Sequence, residues 1–127
     1  MPHLAIQYSA ALDADHDMDA LCERLNAAMR EAGIFPLGGI RVRAWPVAHE
    51  SVADGHPRNA FADLVLRIGT GRTEGEKRAA GERIMAEARR FFAARLAEPH
   101  FALALEIREI EMSWKANSIH PRLDPPK

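Results

Sequence analysis

The stretch Phe61–Glu76 reads FADLVLRIGTGRTEGE, and it decides the fold because a strand, a turn and a helix start follow one another in it. Its first half is mostly apolar, which predicts a buried strand over Phe61–Ile68. Gly69-Thr70-Gly71-Arg72 then has the composition of a turn. Thr73 and Glu76 have the spacing of a capping box, in which both side chains bind the free amides of a helix start.

The residues after this stretch complete a strand–helix–strand unit. The helix is predicted to continue to about Leu96, with a buried stripe that comprises Ala80, Ile84, Ala88, Phe91, Phe92 and Leu96. Leu103, Leu105 and Ile107 then alternate along the chain, which predicts a closing strand. A helical crossover of this length is typical of two parallel strands.

The first half of the chain has the same plan, so the sequence contains an internal repeat of about 60 residues. Leu4, Ile6 and Tyr8 alternate as in a half-buried strand. Three aspartates, at positions 15, 17 and 19, introduce a helix that is predicted to end at Gly33. Its apolar residues recur at helical spacing: Met18, Leu21, Cys22, Leu25, Ala28 and Met29. After Gly38-Gly39, a second strand is predicted over Ile40–Trp45.

The repeat predicts an α+β fold built from α/β-type units. Two tandem β-α-β units, about residues 2–48 and 58–110, would form a four-stranded mixed sheet with both helices on one face, in a single domain over residues 1–127. The other face is expected to carry apolar side chains that further copies of the chain cover, which favours a closed homo-oligomer. Residues 111–127 show no pattern, and we expect an arm across a neighbouring copy or a disordered tail.

Composition narrows the class of protein. The chain of 127 residues is 47% hydrophobic and 28% charged, which is typical of a globular domain. Its formal net charge of −1 gives no reason to expect binding to nucleic acid or to a membrane surface. One cysteine, Cys22, permits no intrachain disulfide, and the start of the chain does not resemble a signal peptide. We therefore expect a cytoplasmic protein with a small-molecule partner.

The spacing of residues in the sequence argues against several common kinds of functional site. The six histidines and the cysteine show no Cys-x-x-Cys, His-x-x-x-His or His-Glu-x-x-His spacing, so no metal is expected. The turn Gly69–Arg72 lacks the third glycine of a dinucleotide loop and the Lys-Ser/Thr of a P-loop. Cys22 lies on the apolar stripe of its helix, where a thiol usually serves as a small hydrophobic group.

Pro2 is the first candidate for chemistry. Removal of Met1 would leave a secondary amine at the start of a strand. An ordinary α-amino group has a pKa of about 7.7–8.0, and an apolar pocket with nearby cations lowers that pKa. Such an amine can act as a general base and, once protonated, as a general acid. The alternative is that Met-Pro is simply a common start.

Two arginines are the next candidates. Arg41 lies in the second predicted strand on the face opposite Ile40, and Arg72 ends the glycine turn. The planar guanidinium matches a carboxylate, so both residues suit a substrate with two carboxylates and a developing enolate charge. Arg43 shares the face of Arg41. Solvated surface arginine is the alternative for each.

An ordered series of motifs resembles the 5-carboxymethyl-2-hydroxymuconate isomerase family of the tautomerase superfamily. The resemblance covers about residues 2–110 and is carried by Met1-Pro2-His3, Gly33-Ile34-Phe35-Pro36-Leu37, Gly39-Ile40-Arg41, Arg43, Ala53-Asp54-Gly55, Ile68-Gly69, Gly71-Arg72 and Ala80-Gly81-Glu82. It implies a tautomerase-like fold with tandem β-α-β units, a homotrimer and no cofactor.

The resemblance also implies a reaction in homoprotocatechuate (4-hydroxyphenylacetate) degradation. Pro2 would accept the 2-hydroxyl proton and deliver a proton to carbon 5, which gives the 2-oxo-3-ene isomer. Arg41 and Arg72 would hold carboxylates and polarise the new oxo group. Trp45 is assigned as a wall of the pocket and Arg43 as a further substrate-binding residue. The tail after Ile110 matches the family poorly and could reach a neighbouring site.

Two other classes of function stay open at this point. The same scaffold could carry a hydratase or a decarboxylase of unsaturated diacids, either of which would need an additional acid or water-positioning group. A non-catalytic small-molecule-binding oligomer is the third possibility, and a blocked Pro2 nitrogen would favour it.

Overall fold

Two strand–helix–strand units follow one another along the chain, as predicted. The structure is a computed structural model that describes residues 2–124. Its strands are β1 (His3–Ser9), β2 (Arg41–Val47), β3 (Ala60–Gly69) and β4 (Phe101–Ile110). Its α-helices are α1 (Met18–Ala32), α2 (Glu74–Phe91), α3 (Ala93–Leu96) and α4 (His120–Leu123). Short 3₁₀ turns occupy Ala10–Ala14 and Leu37–Gly39.

The strands form one mixed sheet in the order β2-β1-β3-β4. Within each unit the two strands are parallel, whereas β1 and β3 pair in antiparallel orientation at the centre. This arrangement confirms the predicted four-stranded mixed sheet. Because β1 and β3 run in opposite directions, the start of β1, the start of β2 and the end of β3 meet at one end of the sheet.

Both long helices cover the same face of the sheet, which also confirms the prediction. Leu4 and Ile6 of β1 and Leu64 and Leu66 of β3 are fully buried in one core cluster with residues of both helices. The two helices contact each other as well as the outer strands. Each buried aliphatic side chain of this kind contributes about 1.5–3 kcal/mol to stability. No helix within residues 2–124 combines the length and the apolar character that a membrane span requires.

The helix ends follow the predicted capping signals. Asp17 accepts a hydrogen bond from the Ala20 amide at 3.2 Å, and Gly33 ends α1 with a φ of 75° that favours glycine. Thr73 and Glu76 form the reciprocal capping box at 3.1 and 2.8 Å. These polar contacts fix where each helix begins relative to its strand.

Two boundaries differ from the sequence prediction. α2 ends at Phe91 rather than near Leu96, since Phe92 leaves the helical conformation and is fully buried against Phe101 at a ring distance of 5.0 Å. β2 begins one residue later than predicted and continues through Pro46. The sheet tolerates this proline because β2 is an edge strand with no partner on its outer side.

The open face of the sheet carries more charge than the sequence predicted. Small and apolar groups such as Ala5 and Val65 occupy its centre, as expected. At the end where β1 begins, however, the pairing register places four basic residues side by side. We call them the cationic row: Arg41, His3, Arg67 and Arg108. The face therefore carries both apolar and basic side chains, and His3, Arg67 and Arg108 add to the arginines that the sequence placed there.

The tail has more structure than its sequence predicted. Residues 117–124 fold back onto their own chain, where Asp124 accepts hydrogen bonds from the amides of Leu37 and Gly38. The Asn117 side-chain amide donates to the Gly38 carbonyl at 3.0 Å. The preceding segment stays open to solvent, with Met112 and Trp114 exposed by 77% and 86%. The expected arm across a neighbour is therefore restricted to this segment, and positions 125–127 lie outside the described residues.

Candidate active site

One end of the sheet gathers the residues that the sequence singled out. Pro2 directly precedes β1, Arg41 opens β2, and Arg72 follows β3 in the glycine turn. The register pairs His3 with both Arg41 and Arg67, so the three chain segments are adjacent at this end. The mixed topology thus places Pro2, Arg41 and the turn that carries Arg72 at the same end of the sheet, and their joint role in a site stays a prediction.

Pro2 lies in a confined position. Its ring is fully buried, and its carbonyl accepts a hydrogen bond from the Arg41 amide at 3.1 Å. Gly39 supplies the space beside it, because a Cβ atom at position 39 would approach Pro2 Cδ to 3.2 Å. The ring therefore has one defined location at the sheet end. Met1 lies outside the described residues, so its removal stays a prediction.

The electrostatic surroundings of Pro2 are positive. The side chain of Arg41 donates to the Gly39 carbonyl at 3.3 Å, and Arg43 Nη1 lies 3.3 Å from His3 Nδ1. Partial burial lowers the pKa of His3, and the charges of Arg67, Arg41 and Arg43 lower this pKa further. The same field opposes protonation of any amine at the neighbouring position.

Arg72 is held firmly from two sides. Its Nε donates to the Ile34 carbonyl at 3.1 Å and its Nη1 to the Gly69 carbonyl at 3.2 Å. The guanidinium carbon also lies 5.1 Å from the centre of the Phe35 ring. Within residues 2–124 its Nη2 forms no hydrogen bond. Arg72 therefore presents a fixed positive charge with one unused nitrogen, which suits an anionic ligand.

The structure adds a histidine that sequence reasoning missed. His120 of α4 lies over Gly39, with its Cε1 and Nε2 only 3.4 and 3.6 Å from the point that a Cβ of residue 39 would occupy. Its Nδ1 is 3.3 Å from Asp124 Oδ2. No local pattern marks His120, since its position depends on contacts with a turn far away in sequence. The motif Gly38-Gly39 was the available signal, because paired glycines often mark a close approach of other groups.

Two of the predicted pocket residues lie further from Pro2. Arg43 is exposed on the open face, one register step beyond the cationic row, and its Nη1 contacts His3 at this end of the sheet. Trp45 pairs with Gln7, about 13 Å along β2 from Arg41. Trp45 does not line the Pro2 site within one chain, and its role as a pocket wall stays a prediction.

Within residues 2–124, neither Cys22 nor a cluster of acidic side chains forms a second site. Cys22 is half-buried on α1, and burial, together with the Asp19 charge, raises the pKa of its thiol, which disfavours the reactive thiolate. Among the described residues no three His, Cys, Asp or Glu side chains are grouped so that they could hold a metal ion.

Comparison with known proteins identifies the family. The sequence model of the family described as 5-carboxymethyl-2-hydroxymuconate isomerase matches residues 2–123. The chain belongs to this family. A curated relative from Escherichia coli, named 5-carboxymethyl-2-hydroxymuconate Delta-isomerase, is 33% identical over 122 residues and spans 94% of this chain and 97% of the relative. This family member is therefore an isomerase.

Solved structures of family members match the fold closely. The 5-carboxymethyl-2-hydroxymuconate isomerase from Deinococcus radiodurans R1 gives a TM-score of 0.90 at 37% identity and covers 95% of this chain and 92% of its own. A second structure, described as 5-carboxymethyl-2-hydroxymuconate delta-isomerase, gives 0.89 at 35% identity and covers 100% and 95%. A more distant neighbour, described as native fused 4-OT, gives 0.65 at 20% identity, and this likeness extends the shared tautomerase fold beyond the family.

Proposed function

We propose that this isomerase converts 5-carboxymethyl-2-hydroxymuconate to its 2-oxo-3-ene isomer through the amine of Pro2, as a cytoplasmic step of homoprotocatechuate degradation. The observation that carries the proposal is the buried Pro2 ring at the sheet end where Arg41 and the Arg72 turn converge. The substrate named for the E. coli relative is a polycarboxylate, which fits a site with this excess of positive charge.

Pro2 has the properties of a base that works near neutral pH. Once Met1 is removed, its secondary amine would accept the proton of the 2-hydroxyl group. The electrons of the broken O–H bond form the 2-oxo group, the conjugated double bonds shift, and the amine returns a proton to carbon 5. One proton is taken up and one is delivered, so the step balances without a cofactor. The positive surroundings that lower the pKa of His3 would also keep this amine neutral before the reaction.

The two arginines serve the anionic parts of the substrate. Arg72 is fixed by the Ile34 and Gly69 carbonyls, so its free Nη2 can meet a carboxylate without a large loss of side-chain entropy. Arg41 is half-buried beside Gly39 and lies next to Pro2 through its backbone. Fixed cations near the reacting oxygen stabilise the negative charge that builds up during proton transfer.

We further propose that the isomerase is a homotrimer. The sheet has two free edges, β2 and β4, and an open face whose centre carries Ala5 and Val65. A ring of three copies would cover such a surface, and a fold neighbour is described as a symmetric trimer of wild-type W0 fused 4-OT. In this assembly Arg43, Trp45 and the exposed Trp114 segment would be available to a neighbouring subunit.

The experiment that tests the function combines intact mass with an ultraviolet assay of dienol consumption. We expect a mass without Met1, turnover of 5-carboxymethyl-2-hydroxymuconate, and loss of turnover when the terminal amine is alkylated. Pro2→Ala leaves a primary amine in place, so its activity should fall strongly without vanishing. Pro57→Ala, in an exposed loop, is the matched control and should retain full activity.

Two outcomes would contradict the proposal. Full activity of the alkylated protein, or of Pro2→Ala, would remove Pro2 as the base. A protein that lacks Met1 but consumes no dienol would favour a different diacid reaction or a non-catalytic binding role.

A further inference from the structure

We propose that His120, oriented by Asp124, is a specificity-determining residue that binds the carboxymethyl carboxylate of the substrate. The inference rests on the proposed function, because it concerns the same Pro2 site. It assigns a binding role to the tail of the chain, which the sequence pattern left without one.

The position of His120 follows from the glycine pair beneath it. A Cβ at Gly38 would lie 2.9 Å from the His120 backbone and 3.0 Å from its Nδ1. A Cβ at Gly39 would lie between Pro2 Cδ at 3.2 Å and the imidazole edge at 3.4–3.6 Å. The proline ring and the Cε1–Nε2 edge of the imidazole therefore approach the same point above Gly39. A ligand that reaches the amine of Pro2 also comes within reach of His120.

The orientation of the imidazole is fixed by the carboxylate of Asp124. Asp124 accepts hydrogen bonds from the Leu37 and Gly38 amides, and its Oδ2 lies 3.3 Å from His120 Nδ1. Nδ1 is thus occupied, while Nε2 forms no hydrogen bond with any residue between positions 2 and 124. The His120 side chain is 25% exposed, so Nε2 is accessible to a small ligand. A histidine that is oriented through one nitrogen and open at the other is a common arrangement for binding.

The charge balance of the site favours an anion as the partner of Nε2. The imidazole contacts Asp124 of its own segment, and two further groups lie around the Gly39 position that it faces: the Pro2 ring, and Arg41, which donates to the Gly39 carbonyl. The Asp124 carboxylate is already shared between two amides and Nδ1. A bound carboxylate would complete a chain of hydrogen bonds from Asp124 through the imidazole to the ligand.

The carboxylates of the proposed substrate indicate which anionic group His120 would bind. A muconate has two carboxylates, and the carboxymethyl substituent adds a third. Arg41 and Arg72 can each hold one, so the third needs a further hydrogen-bonding partner at the same end of the sheet. His120 is positioned to supply it, and its loss should matter only for substrates that carry the third carboxylate.

The test compares two substrates in matched variants. For His120→Ala we expect kcat/KM for 5-carboxymethyl-2-hydroxymuconate to fall about 30-fold or more, mainly through KM. The value for 2-hydroxymuconate, which lacks the carboxymethyl group, should stay within about twofold of the wild-type value. His120→Gln retains a donor and should recover part of the loss, and Asp124→Asn should show a smaller loss in the same direction. His49→Ala, an exposed loop histidine, is the control and should change neither value.

Other results would overturn the inference. An equal fall for both substrates would show that His120 only supports the structure, and unchanged values would remove it from the site. Calorimetry that compares the binding of propane-1,2,3-tricarboxylate and of glutarate tests His120 without any turnover. It therefore distinguishes failure of the inference about His120 from failure of the proposed reaction. A wild-type protein that turns over neither dienol contradicts the proposed function, whereas equal affinities of wild type and His120→Ala for the tricarboxylate contradict the inference about His120.

Discussion

At the scale of single residues, the candidate site depends on small residues as much as on the residues that are proposed to react. Gly39 lies between the Pro2 ring and the His120 imidazole, and the two rings leave little room for a side chain at position 39. The Arg72 guanidinium is fixed by two carbonyls of other segments rather than by an acidic partner, so its full charge stays available. This end of the sheet therefore combines a tight packing position with several positive charges.

Gly39→Ala tests this packing. The new methyl group would lie 3.2 Å from Pro2 Cδ and 3.4 Å from His120 Cε1, so one of the two rings has to move. We expect kcat/KM to fall about tenfold or more, while stability to urea changes by less than about 1.5 kcal/mol. Gly75→Ala is the control, since its Cβ would meet only Thr73 Oγ1 at 3.9 Å. It should leave activity unchanged and add about 0.5 kcal/mol or more to stability. Normal turnover by Gly39→Ala would show that the contact is irrelevant to catalysis.

The chemistry of individual residues was only partly predictable from the sequence. Pro2, Arg41 and Arg72 have residue types that point to a base and two carboxylate ligands, and the topology brings their segments together. His120 and Asp124 could not be predicted, because their interaction with Gly38 and Gly39 joins segments far apart in the chain. Arg43 and Trp45 share a strand face with Arg41, but the strand carries them away from Pro2.

At the scale of secondary-structure elements, the four strands and the helices α1 and α2 follow sequence patterns within their own segments. The structure of the tail depends instead on contacts with residues far away in the chain. Alternation and helical spacing predicted the two units because each element buries one face in the common core. The interruption at Phe92 was not predictable, since an aromatic residue at helical spacing gives no sign that the chain turns there. α4 forms on the support of Asp124 and Asn117, whose partners lie in the Leu37–Gly39 turn.

The attachment of α4 should depend on pH. Hydrogen bonds from the Gly38 amide, and then from His120 and the Leu37 amide, hold the pKa of Asp124 below its ordinary value of about 3.9, although some desolvation acts in the opposite direction. A lowered pKa means that the carboxylate stabilises the attached tail above pH 4 and that this stabilisation is lost as the pH falls through the lowered value. Hydrogen exchange should show the Leu37 and Gly38 amides protected at pH 6 and unprotected near about pH 2.

Asp124→Ala provides the comparison for that measurement. Its Leu37 and Gly38 amides should exchange rapidly at both pH values, while the core amides of β1 and β3 stay protected. Equal protection of the two turn amides in the variant and the wild type at pH 6 would show that Asp124 does not hold the tail.

At the scale of the whole molecule, the open face of the sheet is the least explained surface of a single chain. Val65 and Ala5 occupy its centre, and the cationic row lies at its end. An isolated subunit would leave both the apolar centre and the cationic row exposed to water. The proposed trimer would cover the apolar centre and would place several copies of the positive sites around one axis.

Val65→Asp tests whether this face is an interface. A carboxylate at the half-buried centre of the face would be desolvated in an assembly, so we expect sedimentation velocity to show dissociation from trimer to monomer. Ala97→Asp introduces the same charge at an exposed position after α3 and should leave the trimer intact. A trimeric Val65→Asp protein would place the interface elsewhere, for example at the strand edges.

The repeat has one further consequence, which concerns stoichiometry. A polypeptide has only one amino terminus, so two copies of a unit in one chain can never both present a free prolyl nitrogen. In the second unit the residue before β3 is Asn59, which is bonded into the loop through Val52 and Asp54. The second unit can therefore supply the Arg72 turn but no reacting amine, and a reagent selective for the terminal amine over the three lysines should saturate at one equivalent per chain although the architecture is present twice.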